Sequence, residues 1–430
     1  MKEDLSYRPL EPGMGEAVAA RTILRPVGDR RETWGEVADR VALGNVMLQT
    51  GRADVETTAE YARLRDHIAF GRVLMSGRHL QHGDALQPQR NLELFSNCST
   101  AAASFIKFYL LLNGSGVGRS YDDALMVVDW DFMPELVCAL DADHPDYEDR
   151  FPTPDEAIRR LRKEGRTITY YLVPDSREGW AKAVEILERM AFERTHKDSV
   201  LLLDFSKVRP KGSPIGGMQN RPASGPIPLM DALLACHAVK GQGMEPWEQA
   251  MRIDHELAAC VAVGGARRAA RIAIKNWRDP GIFKFIDIKE QGGLWSANNS
   301  IAVDAEFWSA VESAYAKLES DEFTVRLTDD EMQALRVFEA ATKAQYEHGT
   351  GEPGFINIDR LNTNEEGLER YADGKFTHGF KYRVDPMTEQ VLLKKVYERL
   401  LRSRYKFVVN PCGEVVLLAT GGYCVIADVV

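Results

Sequence analysis

The stretch Asn410-Pro411-Cys412-Gly413-Glu414 places a carboxamide, a thiol and a carboxylate within five residues near the C-terminus. Glu414 lies two positions after Cys412, so the two side chains project to the same side of an extended loop. Gly413 lets the backbone approach a ligand closely, and Pro411 stiffens the preceding backbone. The pattern predicts a loop that presents several reactive groups to one ligand.

Five further cysteines accompany Cys412. Cys98 lies in Phe95-Ser96-Asn97-Cys98-Ser99-Thr100, and Cys424 follows Gly421-Gly422-Tyr423 shortly after the loop. Together with Cys412 they would make one reactive thiol and one redox pair. The remaining three have apolar surroundings and are expected to be small buried hydrophobic residues: Cys138, Cys236 and Cys260. No two cysteines have the C-x-x-C spacing of structural zinc sites, so we expect no metal site.

A thiol suits chemistry that hydrolytic nucleophiles do not perform. Its S–H bond is weak enough for hydrogen-atom transfer, yet its radical is able to abstract hydrogen from a carbon next to oxygen. Replacing a hydroxyl group by hydrogen then requires two electrons, for which a nearby dithiol is a suitable source. Such a site must exclude water to protect the radical.

These residues resemble the ribonucleotide reductases, in which an Asn-Pro-Cys-Gly-Glu loop lies at the centre of a ten-stranded α/β barrel. The resemblance implies that Cys412 abstracts the 3′ hydrogen of ribose and that Glu414 takes the proton of the 3′ hydroxyl. It implies that Asn410 holds the ribose hydroxyls. By the same resemblance, Cys98 and Cys424 lie on neighbouring strands and form the reducing disulfide. Tyr423 and Val425 depart from the family pattern, so a structural role for Cys424 stays open.

Further loops resemble the substrate and effector loops of this family. The glycine-rich run Asn113–Arg119 is either a tight packing turn or a phosphate cradle. Asp175 or Ser176 either caps a helix or binds the sugar of an effector deoxynucleotide, and the arginines of the later loops either bind nucleotides or are solvated. The resemblance implies substrate contacts from Ser96, Asn97, Gly116 and Arg268. It implies effector contacts from Asp175, Ser176, Arg209, Lys211 and Arg267.

Composition agrees with a large intracellular enzyme. The 430 residues are 44% hydrophobic and 27% charged, with a net charge of −10, so a nucleic acid is not the expected ligand. Six cysteines are too few for a secreted disulfide scaffold, and the N-terminus lacks the apolar core of a signal peptide. No apolar run is long enough to cross a bilayer. We therefore expect a cytoplasmic protein without a membrane partner.

The chain divides into two predicted regions. Residues 1–90 show amphipathic patterns and predict a helical N-terminal region. Strands and helices alternate over residues 91–430, which predicts the first half of the α/β barrel, ending after the radical-cysteine loop. The effector loops fall at about residues 173–270. No N-terminal nucleotide-binding cone is recognisable.

Within the family, the motifs resemble the class II reductases, which cleave adenosylcobalamin to form the thiyl radical. The resemblance implies ribonucleoside triphosphates as substrates, deoxynucleotides as effectors and a thioredoxin-like or other dithiol reductant. The charged segment 141–166 resembles part of the insertion found in monomeric members.

One departure concerns the length of the chain. The family barrel continues for five strands beyond the radical loop, whereas this chain stops at Val430. We therefore expect the N-terminal piece of a split or incomplete gene, with a C-terminal half on another chain. Two alternatives stay open: the large subunit of a class I reductase, which requires a metal-radical partner, and a nucleotide-binding module without turnover.

Overall fold

The computed structural model describes residues 13–90, 92–215, 221–263, 269–290, 292–320, 326–347, 349–360, 382–413, 415–424 and 427–429. Its helices include α1 (Met14–Thr22), α2 (Trp34–Thr50), α3 (Ala59–Ala69), α4 (Gly77–His82), α5 (Ser104–Leu112), α6 (Pro154–Lys163), α7 (Arg177–Glu193), α8 (Ile227–His237), α9 (Pro246–Val263), α10 (Ile282–Asp287), α11 (Ala305–Leu318) and α12 (Asp329–Tyr346). A further helix runs from Pro386–Thr388 through the π-helical turn Glu389–Leu393 into Lys394–Arg402.

The strands are short, between two and six residues each. They are β1 (Pro26–Val27), β2 (Arg30–Arg31), β3 (Val73–Met75), β4 (Cys98–Ala101), β5 (Gly116–Ser120), β6 (Glu135–Ala139), β7 (Ile168–Leu172), β8 (Val200–Asp204), β9 (Pro214–Ile215), β10 (Arg221–Pro222), β11 (Arg271–Asn276), β12 (Asn298–Val303), β13 (Gly354–Asn357), β14 (Phe407–Val409), β15 (Val416–Leu418), β16 (Gly421–Cys424) and β17 (Ala427–Val429).

Helices α1 to α4 surround a separate N-terminal hydrophobic core. α2 begins with a capping box, in which the Thr33 hydroxyl accepts the Glu36 N–H and the Glu36 carboxylate accepts the Thr33 N–H. This exchange satisfies two backbone donors that the first helical turn leaves without partners. The inner face of α2 buries Val37 and Val41, and α3 contributes Ile68 to the same core. Helices thus dominate the described part of residues 1–90.

Among the residues that the structure describes, six strands form the central sheet, in the order β13-β12-β11-β5-β4-β16. β4, β5, β11, β12 and β13 are parallel, whereas β16 joins the edge of β4 in the antiparallel direction. Helices connect the parallel strands, as βαβ units require. The predicted α/β class is therefore confirmed, with a sheet that is mostly parallel. In the described residues, β13 and β16 are the two edges of this sheet.

A second sheet lies between β5 and β11 in the sequence. Its three strands are parallel, in the order β6-β8-β7, and we call it the inserted sheet. Both of its faces are covered. Leu201 and Leu203 pack with α5, α7 and α8 in a hydrophobic core that we call the main core, while Val200 and Leu202 pack with α6. A run of apolar residues such as β8 is typical of a parallel strand buried on both faces. The sequence analysis assigned these strands to the barrel, whereas the structure places them in a separate sheet.

A buried ionic network fixes α5 and α9 to one face of β5. The Asp254 carboxylate accepts hydrogen bonds from Lys107 (3.1 Å), Arg119 (2.9 Å) and the Tyr121 hydroxyl (2.5 Å). All four residues are buried. Burial opposes ionisation of Asp254, but the charges of Arg119 and Lys107 hold the pKa of its carboxyl well below the usual range. The network therefore depends on this one carboxylate.

We expect Asp254→Asn to lower the free energy of unfolding by about 3–5 kcal/mol, because it leaves buried cations without their counter-charge. Denaturant unfolding of the two proteins measures this difference. Asp54→Asn is the control, since Asp54 is an exposed partner of Arg52 and the free energy of unfolding should hardly change when it is lost. Equal effects of the two substitutions would contradict the assignment.

Candidate active site

β14 and β15 pair antiparallel and form a β-hairpin, which we call the finger hairpin (residues 407–418). In its turn, the Asn410 N–H donates to the Val415 carbonyl, and the Asn410 carboxamide oxygen accepts the Val415 N–H, both at 3.0 Å. Gly413 has a φ of 77°, which glycine adopts without steric cost. Asn410 is fully buried, whereas Cys412 is exposed. Asn410 thus holds the turn, and the turn presents Cys412.

Two glycines of β5 make room for the finger hairpin. A Cβ atom on Gly118 would lie 2.0 Å from the Val409 carbonyl oxygen, and one on Gly116 would lie 3.0 Å from the Pro411 ring. The first distance is far shorter than a van der Waals contact, so a larger residue at position 118 would displace the hairpin. We call the face of the central sheet that bears Gly116 and Gly118 its inner face. In the structure, the glycine-rich run is the seat of the finger hairpin.

A hydrogen bond also joins the hairpin to the neighbouring strand. Thr100 of β4 is aligned with Gly118 and therefore lies on the inner face. Its hydroxyl donates to the Leu418 carbonyl at 2.7 Å, at the end of the second hairpin strand. Both participants are buried, so water does not compete readily for this bond. The hairpin thus contacts β5 through its first strand and β4 through its second.

Cys98 and Cys424 lie directly opposite each other on the antiparallel strands β4 and β16. Opposed residues of an antiparallel pair point to the same face with Cα atoms about 4.5–5.5 Å apart. This separation is within the range that a disulfide bond requires. Cys98 is also aligned with Gly116, so the cysteine pair lies on the inner face beside the seat of the hairpin. Both cysteines are buried thiols.

Ser96 and Asn97 hold the beginning of β4 in place. The Ser96 hydroxyl donates to the Cys98 carbonyl at 3.2 Å. The Asn97 N–H donates to the Cys424 carbonyl, and the Asn97 carbonyl accepts the Gly116 N–H, both at 2.9 Å. These bonds fix the positions of the two cysteines relative to β5. Substrate contacts from Ser96, Asn97 and Gly116 remain predictions.

Three predicted site residues lie outside the residues that the structure describes: Glu414, Arg267 and Arg268. In the sequence, Glu414 lies between Gly413 and Val415. The two arginines belong to the segment between α9 and β11. Their roles therefore remain predictions.

The predicted effector residues form a second group, beside the inserted sheet. Asp175 and Arg209 make an ion pair at 2.8 Å, and both side chains are about one-third exposed. The Ser176 hydroxyl accepts the Gly179 N–H at 2.9 Å and caps α7. Of the two residues considered as helix caps, the cap is therefore Ser176, and Asp175 is paired with arginine.

A carboxylate binds the basic loop that follows β8 and contains Arg209 and Lys211. The Lys211 N–H donates to the Asp146 carboxylate at 2.7 Å. A Cβ atom on Gly225 would lie 2.3 Å from the same carboxylate oxygen, so the Gly225 backbone packs closely against this oxygen. The Asp146 carboxylate thus occupies the loop to which the resemblance assigns effector contacts from Arg209 and Lys211. The sequence analysis did not single out Asp146, whose only signal is its place in the charged segment 141–166.

Arg177 connects the two groups of predicted residues. Its guanidinium donates to the side-chain oxygen of Asn113, immediately before β5. Arg78 of α4 donates to the carbonyls of Asn113 and Gly114. Burial and the nearby charge of Arg177 lower the pKa of Arg78 to about 10. The start of β5 is therefore held both by the N-terminal helices and by the first residue of α7.

The remaining three cysteines are buried within the main core: Cys138, Cys236 and Cys260. Burial raises the pKa of all three thiols, to about 12 for Cys260. Because the thiolate is the reactive form of cysteine, these residues are poorly reactive. Their burial agrees with the hydrophobic role predicted for them.

Within the described ranges, no three His, Cys, Asp or Glu side chains are arranged to hold a metal ion. The same ranges contain no helix with the length and apolar composition needed to cross a membrane.

Known proteins resemble this chain both in the inserted sheet and in the fold around it. Residues 135–240 match the family model "B12-dependent ribonucleotide reductase, insertion domain". A protein of Mycobacterium phage D29, provisionally named adenosylcobalamin-dependent ribonucleoside-triphosphate reductase, is 31% identical over 82% of this chain and 51% of its own length. This chain is therefore similar to the class II ribonucleotide reductases over about half of their length.

Two other comparisons extend the likeness to these reductases. The adenosylcobalamin-dependent ribonucleoside-triphosphate reductase of Lactobacillus leichmannii is 27% identical over 99% of this chain and 55% of its own length. A crystal structure of a B12-dependent class II ribonucleotide reductase has the same fold, with a TM-score of 0.53 and 24% identity. The aligned region covers 71% of this chain and 48% of the solved chain. The chain spans about half the length of the curated relatives it matches.

The match to the class II insertion domain includes the charged segment 141–166 and extends well beyond it. It contains the inserted sheet, α6, α7 and α8. Several predicted effector residues therefore lie within the insertion: Asp175, Ser176, Arg209 and Lys211.

We expect Gly118→Ala to displace the finger hairpin, because its Cβ atom would overlap the Val409 carbonyl. The free energy of unfolding should fall by about 1–3 kcal/mol, as for other overpacked sites, and backbone amides of residues 406–418 should exchange hydrogen faster. Gly77→Ala is the matched control, since a Cβ atom there meets open space. Unchanged exchange in Gly118→Ala would show that the hairpin does not depend on this seat.

Mild oxidation with diamide should produce a disulfide between Cys98 and Cys424, because the strand register places them opposite each other. Peptide mapping by mass spectrometry detects the bond. Cys424→Ser should abolish it, whereas the control Cys236→Ser should leave it unchanged. A disulfide that joins other cysteines instead would contradict the predicted pairing.

Proposed function

We propose that this chain carries the catalytic loop and the reducing cysteine pair of an adenosylcobalamin-dependent ribonucleoside-triphosphate reductase. The observation that supports this most strongly is the common inner face. It brings the opposed pair Cys98 and Cys424 beside the hairpin that presents Cys412. A reductase needs one thiol to activate the sugar and two more to supply electrons. The named activity of the relatives supports the same reaction.

In the proposed reaction, the thiyl radical of Cys412 abstracts the 3′ hydrogen of ribose while Glu414 takes the proton of the 3′ hydroxyl. The 2′ hydroxyl leaves as water. Cys98 and Cys424 supply two electrons and two hydrogens as they form a disulfide, and Cys412 returns the abstracted hydrogen to C3′. The balance is one ribonucleotide and one dithiol converted to one deoxyribonucleotide, one disulfide and one water. A thioredoxin-like protein or another dithiol would then reduce the disulfide by exchange.

Asn410 has two tasks in this proposal. Its carboxamide oxygen accepts the Val415 N–H and so maintains the turn. Its amide NH₂ group would donate to the ribose hydroxyls. Replacing Asn410 by aspartate would keep the oxygen acceptor and remove the donor, which separates the two tasks.

The exposure of Cys412 fits a bulky cofactor. Cys412 lies at the exposed end of the hairpin, whereas Cys98 and Cys424 are buried below it. A large group would therefore reach Cys412 and not the reducing pair. Adenosylcobalamin, when bound, would supply the radical. Among the described residues, 411–413 would contact it. The reducing pair would stay shielded from solvent during turnover.

We further propose that the central sheet is part of a ten-stranded barrel. Five parallel strands are present, and β16 begins to run in the opposite direction beside β4. Further strands beside β16 would enclose the finger hairpin and exclude water from Cys412. A polypeptide that corresponds to the unmatched part of the relatives would supply these strands.

The reductase assay tests the central proposal. We expect deoxynucleotide formation from a ribonucleoside triphosphate, adenosylcobalamin and a small dithiol, using this chain together with a polypeptide equivalent to the remaining half of the relatives. Cys412→Ala should reduce product to the limit of detection, because no other described thiol occupies the hairpin turn. Cys236→Ala is the matched control and should retain activity. Product that persists in Cys412→Ala would contradict the assignment.

The same assay distinguishes the alternatives. Product that forms without cobalamin, but only with a metal-radical subunit, would indicate the large subunit of a class I reductase. Failure to form product in every mixture, with deoxynucleotide binding unaffected by Cys412→Ala, would indicate a nucleotide-binding module without turnover.

We also propose that deoxynucleotide effectors bind beside the inserted sheet, where Asp175, Ser176, Arg209 and Lys211 cluster, together with Arg267. The ion pair between Asp175 and Arg209 would open to admit the ligand. Asp146 would compete with an effector phosphate for the Lys211 N–H. The opening of this ion pair would affect the start of β5 through the hydrogen bond from Arg177 to Asn113.

We expect Asp146→Asn to strengthen deoxynucleoside triphosphate binding by about tenfold, which is about 1.4 kcal/mol. The substitution removes a like charge from the phosphate position. Isothermal titration calorimetry measures the dissociation constant. Asp143→Asn, in the same segment but exposed, is the control for a change in net charge. Binding that is equal in the two variants would contradict a competing role for Asp146.

A further inference from the structure

The finger hairpin is attached at its base to a buried carboxylate. Asp304 is fully buried, and its Oδ2 atom accepts the Tyr405 hydroxyl at 2.9 Å. The same oxygen lies 3.2 Å from the guanidinium of Arg404. Arg404 and Tyr405 directly precede the hairpin, which begins at Phe407. The chain therefore enters the hairpin from a fixed point.

The other oxygen of Asp304 belongs to the central sheet and its covering helix. Oδ1 accepts the Phe307 N–H at 2.9 Å and thereby caps α11. It also accepts the indole N–H of Trp277 at 3.1 Å. Asp304 follows β12 directly, so it lies at the carboxyl end of that strand. One carboxylate thus joins the base of the hairpin to the rigid framework of the sheet.

Charged groups around Asp304 strengthen this attachment. Arg278 approaches Asp304 at 3.3 Å and Glu306 at 2.6 Å. Arg404 also reaches Glu306, at 2.8 Å. Burial and the bond to Asp304 raise the pKa of the Tyr405 phenol, so this hydroxyl remains a donor at neutral pH. Ion pairs with several partners in fixed geometry hold a segment more firmly than isolated surface pairs do.

The first strand of the hairpin is therefore held at both of its ends. The base of the hairpin is fixed by Asp304 at the carboxyl end of β12, and its turn rests on Gly116 and Gly118 of β5. Three residues of β14 connect the two places. A shift at the base is thus transmitted directly to the turn, and displacement of a reacting group by about 1 Å is able to cost roughly 100-fold in rate.

We propose that Asp304 is a positioning residue that sets the location of Cys412 relative to the reducing pair. This proposal rests on the reductase function proposed above. Asp304 does not contact the reacting atoms in this account, and it acts through Tyr405 and Arg404. Its loss should lower the rate of the chemical step without weakening substrate binding.

Two substitutions test the attachment from its two sides. Tyr405→Phe removes only the hydroxyl that Asp304 accepts. Asp304→Asn preserves the shape and can retain the Oδ1 acceptor for Phe307 and Trp277, but it turns an NH₂ group toward Tyr405 and Arg404. Tyr382→Phe is the matched control, because the Tyr382 hydroxyl donates to the buried carboxylate of Glu185, away from the hairpin.

In the reductase assay, Tyr405→Phe and Asp304→Asn should each lower kcat by roughly 10- to 100-fold. KM should stay within about twofold, because only transition-state alignment is lost. The double variant should be little worse than the more severe single variant, since both changes break one attachment. Tyr382→Phe should leave kcat unchanged. An equal loss in Tyr382→Phe, or additive losses in the double variant, would overturn the proposal.

Hydrogen exchange provides a readout that does not require turnover. Amides of residues 406–418 should exchange faster in both variants, while amides of β4 and β5 keep the wild-type rate. If wild-type protein makes no product but the hairpin alone loosens, the reductase function fails and the attachment stands. If product forms and the hairpin exchanges at the wild-type rate in both variants, the positioning role of Asp304 is contradicted and the reductase function stands.

Discussion

The close approach of the Val409 carbonyl to Gly118 is the constraint on which the site depends. The backbone of the finger hairpin lies where a side chain of β5 would otherwise be. Gly116 makes a second close contact, with Pro411. The two contacts place the turn that bears Cys412 against the inner face of the sheet. The strand register then decides what lies beside the turn. Because Cys98 is aligned with Gly116 and opposed to Cys424, three thiols share one region of the fold.

The two faces of β5 have opposite properties, and both serve the site. On the inner face, glycines leave space for another segment of backbone. On the outer face, Arg119 joins the buried network around Asp254 and fastens the strand to α5 and α9. The glycines leave β5 few side chains for packing on the inner face, and the ionic network on the outer face fastens the same strand. Asn113 holds the start of the same strand through Arg177 and Arg78, which links the inserted sheet and the N-terminal helices to the seat of the hairpin.

Sequence reasoning found the features that depend on short strings of residues. The Asn-Pro-Cys-Gly-Glu string predicted a loop that presents Cys412, whose reactivity stays a prediction, and alternating strands and helices predicted an α/β fold. The separate inserted sheet was missed because β6, β7 and β8 have the same apolar pattern as barrel strands, and pairing partners are not visible in a single sequence. Gly118 stood in a recognised run, but its role depends on a contact nearly 300 residues away. Asp146 stood only within a charged segment, and nothing near Asp304 in the sequence indicated its bond to Tyr405, because these two contacts join residues that are distant in sequence.

The most direct test of the account is the stoichiometry of a single turnover without external reductant. The enzyme, reconstituted with the remaining half of the relatives and adenosylcobalamin, is given a ribonucleoside triphosphate, and both deoxynucleotide and disulfide are quantified. The account predicts one disulfide for each deoxynucleotide, located between Cys98 and Cys424. Deoxynucleotide formed while these two cysteines remain thiols would contradict it, because the electrons would then come from another source.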